Sequence, residues 1–362
     1  MGIGTALFRF HRAVIAPDRR GPLLTLARAA LLPASAAYGV GVAVRNSLYR
    51  LGWRKTGRAP VPVISVGNVA AGGTGKTPFV AWLARLLAIR KMRPVILSRG
   101  YGRHRKLGVD DENLMLSGLA RGVPVVVDAD RLRGAQKAVA EHGANVLILD
   151  DGFQHRRIAR DLDIVLIDAL CPFGAGHLLP RGLLREPLTE VRRANFLLLT
   201  RTNVVSPEEI EAITRRLAQL APRIPTACCA YVIRSLRPLG GRGRDPLSPE
   251  HLKRGRWAAF CGIGNPEGFR LTLQKAGCDL AFLSVFSDHQ QYSGRQVKQF
   301  LAEARAAAAD AIVTTEKDAV KVERLLREPP SPPVYALQAD LDLTKGSDAL
   351  IAAILKAVGK LA

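Results

Sequence analysis

The hydrophobic pattern first predicts a buried strand, a small-residue loop and a helix between Val61 and Val80. Val61 to Val66 is an apolar, β-branched run, Gly67 to Gly75 is rich in small residues, and Trp82, Leu83, Leu86 and Leu87 recur at helical spacing. Further continuous apolar runs follow at Pro94 to Leu97, Val123 to Val127, Asn145 to Leu149, Asp163 to Asp168 and Asn195 to Thr200. Helical or loop segments separate them, among them Asp130 to Glu141 and Ser206 to Leu220, the latter opened by a Ser-Pro-Glu-Glu cap. Continuous rather than alternating apolar strands between helices predict a parallel sheet covered on both faces.

A second α/β unit is expected from Trp257 onward. Its elements are a strand to Gly262, a turn Gly262 to Pro266, a helix, a strand to Phe286, a helix from Ser293 to Ala308, a strand Ala311 to Thr315 and a final helix reaching Leu361. Residues 226–256 hold extended segments around Ala227 to Ile233 and a Gly/Arg/Pro-rich linker, Arg237 to Arg256, which marks the boundary. The predicted organisation is therefore 1–55 as an N-terminal basic and apolar segment, 56–225 as the first α/β domain, 226–256 as linker and 257–362 as the second. Gly262-x-Gly264 lacks the third glycine of a dinucleotide fingerprint, so no Rossmann site is read there.

Before the first strand lies an apolar stretch, Leu23 to Val44, interrupted by Arg28 and Pro33. Its longest charge-free part, Ala29 to Val44, would be roughly 24 Å long as a helix, short of the ~30 Å hydrocarbon core. Arg28 flanks it on one side and Arg45, Arg50, Arg54 and Lys55 on the other, with Tyr38, Tyr49 and Trp53 as amphipathic rings. This is the pattern of a helix seated in a membrane interface; a helix packed on the protein body is the plainer alternative. Pro33 to Ala36 resembles a signal cleavage site, but the Gly-Lys-Thr of the downstream small-residue loop, a phosphate-loop pattern that serves cytosolic nucleotides, argues for retention on the cytoplasmic side.

Charge sharpens the picture. Of 362 residues, 53 are Lys or Arg and 31 Asp or Glu, a formal charge of +22. Such a surface suits anionic partners: nucleotides, phosphorylated substrates or an anionic membrane surface. Nucleic acid is not expected, because the basic residues are scattered in pairs such as Arg19-Arg20, Arg156-Arg157 and Arg192-Arg193 without a tail or interleaved aromatics. Five cysteines without C-x-x-C spacing indicate neither a zinc site nor a disulfide framework.

The candidate chemistry sits at strand ends. Ala70 to Thr77 fits the relaxed phosphate-loop pattern: Ala or Gly, four residues, then Gly-Lys-Thr. Glycines 72, 73 and 75 allow backbone N–H groups to turn toward phosphate oxygens at a helix N-terminus. Lys76 would reach the β- and γ-phosphates and the Thr77 hydroxyl would sit on Mg²⁺. Asn145 to Asp151 is an apolar strand ending in two carboxylates, Asp150 and Asp151, in the form that organises Mg²⁺ beside such a loop. Ser98 to Arg103 is a glycine-hinged basic loop in which Arg99 and Arg103 can meet phosphates and Tyr101 can stack on a base; a solvated turn is the alternative reading. Pro172 to Leu188, rich in Gly, Pro and Leu with Arg181, Arg185 and Glu186, reads as a functional loop.

Taken together, these stretches resemble one family, tetraacyldisaccharide 4'-kinase. The motifs are Val66-Gly67-Asn68 leading into Ala71 to Pro78, Ser98 to Arg103, Leu149 to Arg157, Leu179 to Leu188, Cys261 to Pro266, Phe286 to Tyr292 and Val313 to Val320, in order over nearly the whole chain. The resemblance implies a P-loop NTPase-like parallel-sheet domain, a second, smaller α/β domain, a two-stranded linker and an N-terminal membrane-associated helix. It implies transfer of the ATP γ-phosphate to the 4'-hydroxyl of an acylated glucosamine disaccharide 1-phosphate, forming lipid IVA in lipid A biosynthesis, at the cytoplasmic face of the bacterial inner membrane. Nucleotide and substrate would lie in the cleft between the domains, with ATP and Mg²⁺ required.

By the same resemblance, Ala71, Gly72, Gly73, Thr74, Gly75, Lys76, Thr77, Pro78, Tyr101 and Arg185 hold the nucleotide. Lys76 and Asp151 act in catalysis, and Thr77 with Asp150 or Asp151 binds the metal. Glu186 resembles a further metal-site acid. The family pattern points to Asp111 of Asp111-Glu112 as the base, with Asp110 a competing choice because the stretch from Arg103 is short, and His289 assisting. An expected second histidine beside it is Gln290. The alternative is a P-loop ATPase or GTPase of the metal-insertion or targeting class, although Thr315 to Asp318 does not complete a guanine motif.

Overall fold

The computed structural model describes residues 14–15, 20–100, 116, 118–120, 122–240, 245–288, 290–326 and 328–359. The chain divides into two compact units: residues up to 230 together with 343 onward, and residues 231–342.

In the first unit, the helices α1 (Pro22–Ala30) and α2 (Leu32–Arg50) precede seven strands. These are β1 (Val63–Asn68), β2 (Pro94–Ser98), β3 (Val125–Val127), β4 (Val146–Asp150), β5 (Leu162–Asp168), β6 (Phe196–Thr200) and the start of β7 (Thr226–Pro238). They lie in the order β3-β2-β4-β1-β5-β6-β7, and every pairing is parallel. The helices α3 (Lys76–Ile89), α4 (Arg131–His142) and α5 (Pro207–Leu220) connect them. All residues of β1, β2, β5 and β6 are buried, which is why their sequences run apolar without alternation. Local signals set the helix starts: Asp130 accepts from the N–H groups of Leu132 and Arg133, and Ser206 and Glu209 form a reciprocal capping box.

Gly67 cannot carry a side chain, since a Cβ there would lie 2.5 Å from the Cβ of Phe153. The close approach lets the turn after β4 lie directly against β1, and Gly152 N–H donates to Val66 O at 3.0 Å. The carboxylates after β4 are thereby held next to the loop after β1.

The second unit contains β8 (Arg256–Cys261), β9 (Asp279–Val285), β10 (Ala311–Thr315) and most of β11 (Val334–Lys345), in the order β11-β10-β8-β9. Its helices are α6 (Pro266–Lys275), α7 (Gly294–Ala306) and α8 (Glu316–Glu323). Trp257, Ala259 and Cys261 face one apolar layer, while Ala258 and Phe260 face the other with Phe300.

Two features differ from the sequence reading. The region after Thr315 is not one terminal helix but α8, strand β11 and a helix α9 (Ser347–Ala357). The prolines at 329, 330, 332 and 333 end helical continuity, and Val334 begins a parallel partner for β10. The divide also falls elsewhere: the chain passes between units inside β7 and inside β11, and α9 belongs with the first unit rather than the second. Gly346, at φ 70°, packs against Thr226 O and Ala227 to bring α9 there. The Gly/Arg/Pro-rich stretch lies within the second unit, where Leu236 and Leu247 exchange backbone hydrogen bonds.

Candidate functional site

β1 delivers Asn68 to the loop and α3 receives the chain at Lys76. Gly75, with φ 86°, occupies the left-handed region at the helix start, a conformation that favours glycine. No side chain caps α3 among the described residues, so its N-terminus is suited to an anion. The buried Asn68 fastens the loop from inside: its Nδ2 donates to Ala70 O at 2.5 Å and to Thr74 Oγ1 at 3.0 Å.

On the neighbouring strand, Asp150 pairs in register with Val66. Asp151, at φ 53°, bends the chain back over the loop, the kind of uncommon backbone conformation that gathers at functional sites. Its carboxylate lies 3.3 Å from Lys76 Nζ and 2.9 Å from Arg185 Nη1. Burial alone would raise its pKa, but the cations Lys76 and Arg185 outweigh that and hold Asp151 below the usual carboxylate range.

Arg185 reaches this point because its segment is laid against the chain leaving β1. Arg185 N–H donates to Val69 O at 2.8 Å and Ala71 N–H to Leu183 O at 2.6 Å. Gln154 completes the link, donating to Asn68 O at 2.7 Å and accepting from Arg185 at 3.4 Å.

Glu186, expected as a further metal-site acid, is held by arginines. It is fully buried, with one carboxylate oxygen bonded to Arg45 and the other 2.5 Å from Arg193 Nη2. Two guanidinium partners make this carboxylate the centre of a buried ion-pair network. Arg193 also bonds Glu190 at 2.6 Å and lies 4.1 Å above the Phe153 ring. Because Arg45 belongs to α2, the network ties the N-terminal helix to the loop, as do Ser35 Oγ to Leu178 O and Tyr38 OH to Arg185 O, each 2.9 Å.

The surroundings are cationic. Arg131, almost wholly buried, donates to Asp128 O at 2.7 Å and to Asp150 O at 3.4 Å. His155 is pushed down to about 4 by burial and by Arg131, Arg157, Arg160 and Arg99. Asp128 is held at about 2, chiefly by its hydrogen bond from Arg133.

Of the expected residues, the structure gathers Ala71 to Pro78, Asp150, Asp151 and Arg185 in one place. Tyr101, Asp110, Asp111 and His289 lie outside the described residues. Sequence reasoning passed over Asn68 and Gln154 as site residues, although both stand inside motifs it singled out. It also missed Arg45 and Arg193, whose role depends on a partner far away in the chain.

A parallel sheet whose central strand feeds a lysine-bearing glycine loop, beside a strand ending in paired aspartates, defines a P-loop protein built for phosphoryl transfer. The particular family follows from comparison: residues 27–358 match the family model for tetraacyldisaccharide-1-P 4'-kinase (LpxK), and the chain belongs to this family. A tetraacyldisaccharide 4'-kinase of Anaeromyxobacter sp. (strain K) is 40% identical over 352 residues, 93% of this chain and 92% of the relative. One from Halothermothrix orenii is 38% identical over 311 residues, covering 79% and 81%. Among solved structures, LpxK from Aquifex aeolicus in complex with ATP superposes with TM-score 0.67 at 31% identity, over 92% of this chain and 99% of that one.

Proposed function

We propose that this protein transfers the γ-phosphate of ATP to the 4'-hydroxyl of a tetraacylated glucosamine disaccharide 1-phosphate. The observation that carries the reading is the 3.3 Å approach of Lys76 on the glycine loop to Asp151 after β4, in a chain belonging to a kinase family. Phosphoryl transfer needs little covalent help from the protein; it needs positioning and neutralisation of charge. Backbone N–H groups of residues 71–77 would cradle the phosphates, Lys76 would follow the transferring group, and Arg185 would add a second cation on the Asp151 side.

Mg²⁺ suits the donors at hand. Thr77 with Asp150 or Asp151 offers a hydroxyl and carboxylates, and no cluster of three or more His, Cys, Asp or Glu is found among the described residues. That fits an ion held by one or two carboxylates and by substrate phosphates rather than by an all-protein cage. Bound there, it would neutralise phosphate charge. The proton acceptor is assigned by motif alone, as Asp111 with His289 assisting.

An acylated substrate calls for a protein that meets a membrane. Pro22–Arg50 is long and apolar enough to span one by length and composition. Yet α2 buries Ser35, Val42 and Asn46 against its own unit while exposing Val40 and Val44. A helix docked on one face and apolar on the other supports seating in the interface, with Leu51 and Trp53 exposed beside Arg54 and Lys55 for anionic headgroups. The cytoplasmic face of the inner membrane is the proposed location.

The test is transfer of label from γ-labelled ATP to the acylated disaccharide 1-phosphate in detergent micelles, with and without Mg²⁺. A Mg²⁺-dependent bisphosphorylated product is expected; ATP hydrolysis without product would remove the acceptor assignment.

A further inference from the structure

The glycine loop is fastened from a third strand that plays no part in the site so far. β5 and β6 end level with each other, Asp168 opposite Thr200. Arg201 follows in the left-handed region, at φ 58°, where the chain turns away from β6. That turn directs its side chain back across the sheet end: Nη1 lies 2.6 Å from Asp168 Oδ2 and Nη2 donates to Gly73 O at 2.5 Å. Its neighbour Thr200, fully buried, donates through Oγ1 to Thr74 O at 3.0 Å. Two successive loop carbonyls are therefore held by two successive residues of one strand end.

The consequence follows from peptide geometry. In a trans peptide the carbonyl oxygen and the amide hydrogen point in opposite directions. Holding Gly73 O fixes the direction of the Thr74 N–H, and holding Thr74 O orients the Gly75 N–H, which lies in the stretch that must face phosphate oxygens. The Thr74 N–H turns back on Gly72 O at 3.0 Å, which keeps this part of the loop tightly wound. A glycine-rich loop has little rigidity of its own, so its shape has to be imposed by neighbours.

The choice of an ion pair is informative. A nearly buried Arg–Asp pair is a poor source of stability, because desolvating both charges offsets their attraction. A neutral donor could secure one carbonyl at lower cost. A guanidinium on the Gly73 carbonyl also polarises that peptide and places positive charge at the loop.

We infer that Arg201, oriented by Asp168 and seconded by Thr200, is a positioning residue that sets the phosphate loop in its ATP-binding form. The inference rests on the kinase reading above. Arg201 acts through the Gly73 carbonyl and Thr200 through that of Thr74, so their loss is felt in nucleotide binding and not in acceptor binding.

The experiment uses the full-length protein in micelles, varying ATP and the acylated disaccharide 1-phosphate separately, with melting temperature recorded for each variant. Arg201→Gln and Thr200→Val should each raise KM for ATP about tenfold or more, the worth of a hydrogen bond to a charged or buried partner. KM for the acceptor should stay within about twofold of wild type. Thr200→Ser, which keeps the hydroxyl, should restore ATP affinity. If Arg201→Gln does not fold, Arg201→Lys and Thr200→Val carry the test. KM for ATP unchanged in folded variants, with only the melting temperature lowered, would overturn the inference, as would an equal rise in both KM values. Absence of transfer by the wild-type protein would instead remove the kinase reading itself.

Discussion

Lys76 Nζ and Asp151 Oδ1 stand 3.3 Å apart, although seventy-five positions separate them in the chain. The pair joins the two halves of the proposed chemistry, the cation for the transferring phosphate and the aspartate pair after β4, one of which would hold the metal. It exists because Gly67 lets the turn after β4 close onto β1.

Replacing the lysine tests the first half. Lys76→Ala should lower kcat by about 10²–10³ or more, as expected for removing a group aimed at developing charge. Melting temperature should fall only modestly, since Arg185 remains as a counter-charge to the mostly buried Asp151. Steady-state kinetics beside a thermal melt checks this, and undiminished turnover would refute the phosphate-loop assignment.

The Glu186 network makes a different prediction. Glu186→Gln should leave the guanidinium groups of Arg45 and Arg193 without their buried counter-charge. Because both arginines are partly exposed, the cost should be about 2 kcal/mol, below the ~3–5 kcal/mol of a fully buried pair. In a unit of this size that corresponds to a fall of ~4–8 °C in melting temperature. Mg²⁺ affinity should be unchanged if the role is structural; a weakened Mg²⁺ dependence with normal stability would assign Glu186 to the metal site.

Acid should destabilise the first unit through His155. Its pKa is 6.5 in the unfolded reference and about 4 in the fold. Between those values the unfolded chain binds the extra proton, so stability is complete above pH 6.5 and falls as pH drops toward 4. Asp151, held low by Lys76 and Arg185 against its burial, works in the same direction at still lower pH, losing its contribution as it becomes protonated. Melting temperature measured across this range should decline for wild type and decline less for His155→Gln. Parallel curves would show that His155 is not responsible.

Membrane seating can be read by vesicle flotation. Val40→Glu with Val44→Glu places two carboxylates on the exposed face of α2 and should weaken binding to anionic vesicles severalfold. Binding by the wild type should also fall with salt, because Arg54 and Lys55 act through screened surface charge. Undisturbed flotation of the double variant would remove this face as the contact.

Much was legible before any coordinates. Continuous apolar runs identified β1, β2, β4, β5, β6, β8 and β10 because parallel strands are buried on both faces. The cap residues Asp130 and Ser206 marked helices because capping is local chemistry. The loop motif at Ala70 to Thr77 and the paired aspartates were readable for the same reason: each is a short contiguous pattern whose residues perform one task.

Strand β11 was not legible, because its apolar residues are interleaved with Asp340 and Asp342 and its pairing with β10 is tertiary. Nor could spacing reveal that Glu186 would meet Arg45 and Arg193; a buried carboxylate takes whichever partner the fold brings to it. The hold of Thr200 and Arg201 on the loop is likewise a contact across more than a hundred residues. By itself the sequence determined which residue types stand at each strand end, since those follow from local pattern. Which of them touch was decided only by the parallel sheet, whose register brings the ends of β1, β4, β5 and β6 to one edge.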